Sequence, residues 1–156
     1  MSETKSLELN ALSEADMYEV GRSIGNLLDG HAFIAMFGDL GAGKTTLTKG
    51  IAEALGINDI LSPTFTIVRH HEGRLALDHF DAYRIEDVDE LYAIGFDDYL
   101  SGDGVIVMEW CENVPDALPQ ERLEVHIEGS GGEPRNMELV AFGSKYFKIL
   151  EVLSKC

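Results

Sequence analysis

A glycine-rich segment that ends in lysine and threonine constrains the fold of this chain more than any other feature. Residues 38–45 read Gly-Asp-Leu-Gly-Ala-Gly-Lys-Thr; an apolar run over residues 32–37 precedes them and a helical pattern follows. A short apolar run without alternation is typical of a strand that is covered on both faces. A buried strand, a glycine-rich turn and a helix in this order predict an α/β domain with an anion-binding loop at the start of the helix.

The segment matches the pattern G-x-x-x-x-G-K-[ST], which binds nucleotide phosphates. Glycines let the backbone curl so that successive N–H groups point inward at phosphate oxygens. Lys44 adds a positive charge for the β- and γ-phosphates, and the Thr45 hydroxyl is a ligand for Mg²⁺. The sequence therefore predicts a nucleoside-triphosphate site.

The rest of the chain predicts one domain, residues 1–156, because this length suits a single hydrophobic core. Ser13 and Asp16 form a candidate capping box before the first helix. The other predicted elements are a hairpin of residues 65–69 and 74–81 around His70 to Gly73, short helices over 87–94 and 97–100, a buried strand over 105–108, an antiparallel pair over 123–127 and 137–142, and a final helix over 145–153. These elements predict a three-layer domain of the P-loop NTPase kind with a mixed parallel and antiparallel central sheet.

Two carboxylates follow predicted strands and are candidates for the metal and the reaction. Glu109 ends the apolar run over residues 105–108, and Asp81 ends the partly alternating strand before it. One of them can hold Mg²⁺ while the other orients or deprotonates the attacking water or hydroxyl. The order of the residues does not assign these roles; we favour Glu109 for the metal and Asp81 for the nucleophile.

Several other polar and aromatic residues have two readings. Ser62 and Thr64 lie between the phosphate loop and the Asp81 strand, where γ-phosphate-sensing switch segments run, but Ser-Pro-Thr also forms ordinary turns. Base rates favour packing for Trp110 and a core hydrogen bond for His79, and we expect His70 and His71 to lie in a solvated turn.

The charge of the chain limits its partners. Twenty-eight acidic against 12 basic residues give a net charge of −16, which disfavours direct binding of DNA or RNA. Residues 72–124 hold 15 acids and three bases, and residues 86–103 hold seven acids and no base. We expect the shorter segment to be a solvated face or a docking surface for a basic partner. No apolar stretch is long enough to cross a bilayer and no export signal opens the sequence, so we expect a cytoplasmic location.

Four motifs in this order resemble the TsaE family, small bacterial ATPases that support threonylcarbamoyladenosine (t6A37) modification of tRNA. The resemblance covers Ser13 to about Ile127. It rests on Gly-Asp-Leu-Gly-Ala-Gly-Lys-Thr-Thr at 38–46, Ser-Pro-Thr-Phe-Thr at 62–66, His-Phe-Asp-Ala-Tyr-Arg at 79–84 and Glu-Trp at 109–110.

The resemblance implies binding of ATP and Mg²⁺, with catalytic roles for Lys44, Asp81 and Glu109 and metal binding by Thr45 and Glu109. It makes Ser62 and Thr64 a switch and Trp110 a candidate for the active surface. The implied cofactor-binding residues are Glu14, Asp39, Leu40, Gly41, Ala42, Gly43, Lys44, Thr45 and Thr46. The implied partners are the proteins TsaD and TsaB, with tRNA reached only through them, and the family does not itself transfer the threonylcarbamoyl group.

Cys111 stands where this family commonly has proline, and residues 142–156 match no motif of the family. Two alternatives remain. A small nucleoside or nucleotide kinase fits the size, although the chain has only six arginines to clamp a second phosphate-bearing substrate. A nucleotide-dependent binding switch with little turnover also fits. A GTPase is disfavoured because no Asn-Lys-x-Asp segment is present.

Overall fold

A seven-stranded sheet organises the chain. The computed structural model describes residues 4–38, 43–58, 60, 67–129 and 134–155. The elements in chain order are β1 (Thr4–Leu12), α1 (Glu14–Leu27), β2 (Ala32–Phe37), α2 (Lys44–Ala54), β3 (Val68–His71), β4 (Leu77–Asp81), α3 (Asp89–Ala93), α4 (Phe96–Leu100), β5 (Val105–Glu109), two 3₁₀ turns (Cys111–Asn113 and Pro115–Ala117), β6 (Arg122–Glu128), β7 (Arg135–Phe142) and α5 (Ser144–Leu153).

The order of the strands is β1-β7-β6-β2-β5-β4-β3. Strands β6, β2, β5 and β4 run parallel, whereas β7, β1 and β3 pair antiparallel with their neighbours. The predicted mixed sheet is therefore confirmed. Because parallel strands present their carboxyl ends at one edge of the sheet, the carboxyl ends of β2, β5 and β4 lie side by side.

Two apolar cores cover the faces of this sheet. Apolar residues of α1, α2 and α5 pack on one face, where the core includes Ile24, Ile51 and Leu150. The other face is covered by α3, α4 and the 3₁₀ turns, with Phe80 and Phe96 in edge-to-face contact. Buried on both faces, β2 and β5 read as uninterrupted apolar runs, which is why their positions could be predicted.

Helices α1 and α2 cross with almost no space between their backbones. The Ser13 side chain accepts from Asp16 N, and the Asp16 carboxylate accepts from Ser13 N, so the predicted capping box is confirmed. A Cβ on Gly50 would lie 2.2 Å from the Tyr18 carbonyl oxygen, and one on Gly21 would lie 2.3 Å from that of Leu47. Only glycine permits this approach.

The structure corrects the hairpin prediction. His70 and His71 belong to β3, which pairs antiparallel with β4, so they are not turn residues; the chain reverses after them. His70 is held by Asp78 and Glu72, each at 2.6 Å from a ring nitrogen. The predicted helix over 87–94 is shorter, Asp89–Ala93. None of the helices in the described residues is long and apolar enough to span a membrane.

The final helix has a structural role that the sequence motifs did not indicate. Tyr146 on α5 is buried, and its hydroxyl accepts a hydrogen bond of 2.9 Å from the backbone N–H of Phe33 on β2. Burial raises the pKa of the Tyr146 hydroxyl. The end of the chain therefore anchors the strand that leads into the glycine-rich segment.

Candidate nucleotide-binding and catalytic site

Lys44 lies at the start of α2, the helix that follows β2 in the chain. It is the first residue of α2 and is almost completely buried, and its ammonium group donates to the Gly38 carbonyl. The preceding Gly43 has φ +107°, and a Cβ there would lie 2.7 Å from the Met17 methyl carbon. Lys44 therefore places a cation at the N-terminus of α2, an arrangement that suits a phosphate.

Asp81 and Glu109 end neighbouring parallel strands in register. Asp81 closes β4, Glu109 closes β5, and the two residues are directly paired. Within the sheet β5 lies between β4 and β2, so Glu109 is next to the strand that precedes Lys44 and Asp81 lies one strand further away. The structure thus brings together the three residues that the sequence predicted as catalytic.

The environment of Asp81 favours its neutral form. Burial raises the pKa of this carboxyl, and the nearby Glu109 raises it further; the backbone N–H of Tyr83 and the neighbouring His79 and Lys44 oppose the shift. The Asp81 Oδ1 accepts the Tyr83 N–H at 2.9 Å. A carboxylate with a raised pKa is a better proton acceptor than an ordinary one.

Glu109 has a buried partner. Its Oε2 lies 2.5 Å from His79 Nε2, and the His79 side chain is completely enclosed. The predicted hydrogen bond of His79 is therefore confirmed, but its acceptor, a predicted site residue, could not be foreseen. The spacing of His79 and Asp81, two residues apart, indicates only that both lie on one face of β4, and it does not reveal Glu109 on the neighbouring strand.

Trp110 lies beside Lys44. The ammonium group is 3.6 Å from the centroid of the indole ring, and the centroid of the Tyr83 ring lies 4.8 Å from that of Trp110. Trp110 has φ 62°, a left-handed conformation uncommon for a bulky residue, and Cys111 follows it in a 3₁₀ turn. Cys111 is buried, with its thiol donating to the Met108 carbonyl, and burial raises its pKa. Cysteine is therefore accommodated at the position where the family that the chain resembles commonly has proline.

The segments after β4 and β5 are tied together by backbone and side-chain bonds. Ala82 N donates to the Glu109 carbonyl at 3.0 Å, and the Asn113 amide donates to the carbonyls of Ala82 and Tyr83. These bonds keep Asp81 close to Trp110. Asn113 had not been singled out in the sequence because nothing in its neighbourhood indicates a contact with a segment 30 residues away.

The remaining predicted site residues divide into two groups. Thr45 and Thr46 lie in the first turn of α2, and the Thr46 hydroxyl lies 3.4 Å from a carboxylate oxygen of Glu14 at the start of α1. Glu14 is thus next to the first turn of α2. Outside the described residues are Asp39, Leu40, Gly41, Ala42, Ser62 and Thr64.

A divalent ion at this site would need ligands from outside the protein. No group of three or more histidine, cysteine or acidic side chains among the described residues is arranged to hold a metal. The hydroxyl of Thr45 and one carboxylate are oxygen donors of the kind that Mg²⁺ prefers, and this ion usually completes its shell with water and phosphate oxygens. The donor set therefore fits a nucleotide-bound Mg²⁺.

Comparisons with known proteins agree on one family. The sequence matches the family described as threonylcarbamoyl adenosine biosynthesis protein TsaE over residues 11–137. The TsaE protein of Bacillus subtilis is 46% identical over 124 residues, which cover 78% of this chain and 77% of that protein. The Streptomyces coelicolor protein is 38% identical over 139 residues, covering 83% and 93%.

A solved structure agrees with this match. The crystal structure of Bacillus subtilis YdiB superposes with a TM-score of 0.81 at 34% sequence identity, covering 98% of this chain and 97% of that one. The similarity therefore extends beyond the matched family segment to α5 and to most of β1. The chain belongs to the TsaE family.

Proposed function

We propose that this protein binds and slowly hydrolyses ATP with Mg²⁺ and thereby supports threonylcarbamoyladenosine modification of tRNA. The observation that carries the proposal is the convergence of Lys44, Asp81 and Glu109 at the carboxyl ends of β2, β4 and β5. Membership in the TsaE family supports the tRNA-modification pathway.

Lys44 and Thr45 would hold the nucleotide. The lysine charge and the α2 N-terminus would face the phosphates, and the Thr45 hydroxyl would bind Mg²⁺. When bound, the ion supplies charge neutralisation on the phosphate oxygens. Glu109 would serve the metal, because its geometry is held by His79, and Asp81 would accept a proton from the attacking water, because its pKa is raised.

Variants of Lys44 and Asp81 test this division of roles. Lys44→Ala should weaken ATP binding, whereas Asp81→Ala should leave binding intact and stop hydrolysis. Lys49→Ala is the matched control, since Lys49 is an exposed lysine on the same helix. Binding is measured by calorimetry and hydrolysis by phosphate release; equal loss of ATP affinity in the Lys44 and Asp81 variants would contradict the role of Asp81.

Reconstitution tests the tRNA role. With TsaD and TsaB present, omission of this chain should abolish sustained formation of modified adenosine in tRNA, and Lys44→Ala should behave like omission. Modified tRNA made at the same rate over many turnovers without the chain would refute the proposal. Rapid phosphoryl transfer by the chain alone to a nucleoside or nucleotide would instead identify it as a kinase.

The acidic segment over residues 86–103 is our proposed docking surface for the TsaD–TsaB complex. All seven of its carboxylates are exposed, and none forms an ion pair with another described residue. Tyr92 and Ile94, among the few large apolar side chains that are exposed in the described chain, lie in the same segment at 42% and 40% exposure. Exposed aromatic residues among charges are typical of protein interfaces.

Glu86, Asp97 and Asp103 are the best acids to neutralise, because their carboxylates accept no hydrogen bond from a described residue, whereas Glu90 accepts two backbone N–H groups. Changing them to amides should weaken binding to TsaD–TsaB and reduce its salt dependence. A control with the same charge change replaces Glu8, Glu128 and Glu138 on the opposite half of the sheet. Unchanged affinity in the first variant would assign residues 86–103 to a solvated face.

A further inference from the structure

His79 is an enclosed polar residue that lies beside apolar residues of β4 and β5. Its side chain has no exposure, and its register partner on β5 is Val107. Leu77, two residues earlier on β4, and Val107 both belong to the core beneath α1 and α2. A leucine or valine would suit this position better if its purpose were packing alone.

Among the described residues, one nitrogen of His79 has a hydrogen-bond partner and the other has none. Nε2 lies 2.5 Å from Glu109 Oε2, while Nδ1 is buried without a hydrogen-bond partner among the described residues. With the hydrogen on Nε2, the ring donates to the carboxylate and leaves only a lone pair unpaired, which costs less than an unpaired N–H group. The geometry therefore makes His79 a hydrogen-bond donor to Glu109.

This bond restricts one of the two Glu109 oxygens. The carboxylate is nine-tenths enclosed, and its other oxygen, Oε1, accepts no hydrogen bond from a described residue. The enclosed ring of His79 thus fixes the Glu109 carboxylate at one oxygen and leaves the second oxygen for a ligand. Residues that hydrogen-bond to metal ligands orient those ligands in this way, and the loss of such a residue weakens metal binding.

We propose that His79 is a positioning residue that orients Glu109 toward the divalent ion of the bound nucleotide. The inference rests on the proposed function, because it requires Mg²⁺ and nucleotide at the site. It extends that function to a residue outside the phosphate loop and outside the pair of carboxylates. His79 acts through Glu109 and contacts neither the phosphates nor the reacting water.

Three substitutions separate positioning from packing. His79→Gln keeps a donor that reaches as far as Nε2, whereas His79→Asn keeps a buried amide that is one methylene too short, and His79→Leu removes the donor. The test measures the affinity of Mn²⁺ for the protein–ADP complex by electron paramagnetic resonance, together with ADP affinity in EDTA. We expect the Asn and Leu variants to lose about 10–100-fold in Mn²⁺ affinity, with the Gln variant near wild type and metal-free ADP binding unchanged throughout.

His70→Leu is the matched control. His70 is also bound to carboxylates on this hairpin, Asp78 and Glu72, but it is half exposed and does not contact Glu109. Its substitution should leave Mn²⁺ affinity unchanged. If the Leu variant does not fold, the comparison of Gln with Asn decides the question.

The two proposals fail differently. Wild-type protein that binds no ADP would refute the proposed function and this inference with it. Normal ADP binding with wild-type Mn²⁺ affinity in the Asn and Leu variants would refute only the role of His79. Equal losses in the Gln and Asn variants would also overturn it, because reach to Glu109 would then not matter.

Discussion

Replacement of Gly50 by alanine should destabilise the protein, although alanine favours helices. Gly50 lies in the crossing of α1 and α2, where a Cβ would be 2.2 Å from the Tyr18 carbonyl oxygen and 3.1 Å from the Gly21 Cα. Ordinary contact begins at 3.4 Å, so the helices would have to separate by about 1 Å. The atoms in the way belong to the backbone and cannot rotate aside.

The magnitude follows from two opposing effects. Forcing a methyl group into a close-packed contact costs about 1–3 kcal/mol, and the rigid obstruction places this site at the upper end. Alanine in place of glycine in a helix interior returns about 1 kcal/mol. We therefore expect the free energy of unfolding to fall by about 2 kcal/mol, which lowers Tm by about 4–8 °C in a chain of this length.

Urea unfolding and thermal scans by circular dichroism measure both quantities. Gly30→Ala is the control, because a Cβ at Gly30 would meet nothing within 4 Å. Gly50→Ala should also weaken nucleotide binding, because Gly50 lies on α2, which begins with Lys44. An alanine at position 50 that leaves Tm unchanged or raises it would refute the close-packing argument.

Three further changes test other contacts. Asp81→Asn should raise Tm near pH 7, because burial and Glu109 raise the Asp81 pKa, so that the folded state disfavours the charged carboxylate. The gain in Tm should vanish as the pH falls below the ordinary pKa of 3.8, because the folded and the unfolded states then both bind the proton. Thermal scans from about pH 3 to pH 8 measure this change in Tm. Tyr146→Phe should cost about 1–3 kcal/mol in urea unfolding, because it leaves the buried Phe33 N–H without an acceptor. Ser13→Ala should cost about 1 kcal/mol by removing the cap of α1, and Ser13→Asn, which can still cap, should restore most of it.

Local patterns predicted those parts of the fold in which neighbours along the chain decide the structure. The apolar runs of β2 and β5 and the capping box of α1 were all confirmed. The hairpin was predicted with the wrong turn, because His70 and His71 are polar and precede a glycine. Their place in β3 depends on pairing with β4, which the residues of β3 alone do not reveal.

Some features of the candidate site could likewise be predicted from local motifs, and others could not. Lys44, Asp81 and Glu109 could be named in advance, because each follows a strand and belongs to a recognisable motif. The strand order β2-β5-β4 decides which carboxylate is hydrogen-bonded to His79. It also decides that Trp110 lies over the Lys44 ammonium group. Contacts between residues tens of positions apart produce no recognisable pattern in the sequence.

The sequence by itself determined the nucleotide motif, the α/β class and the family, since a glycine-rich turn between a buried strand and a helix carries its geometry in its own residues. Only the tertiary structure decided that Asp81 and Glu109 are paired in register, that an enclosed histidine holds one of them, and that Tyr146 anchors the strand before the phosphate loop. The physical reason is that backbone geometry and apolar periodicity are local, whereas burial, pKa and the partner of a hydrogen bond are set by whichever distant segments pack against the residue.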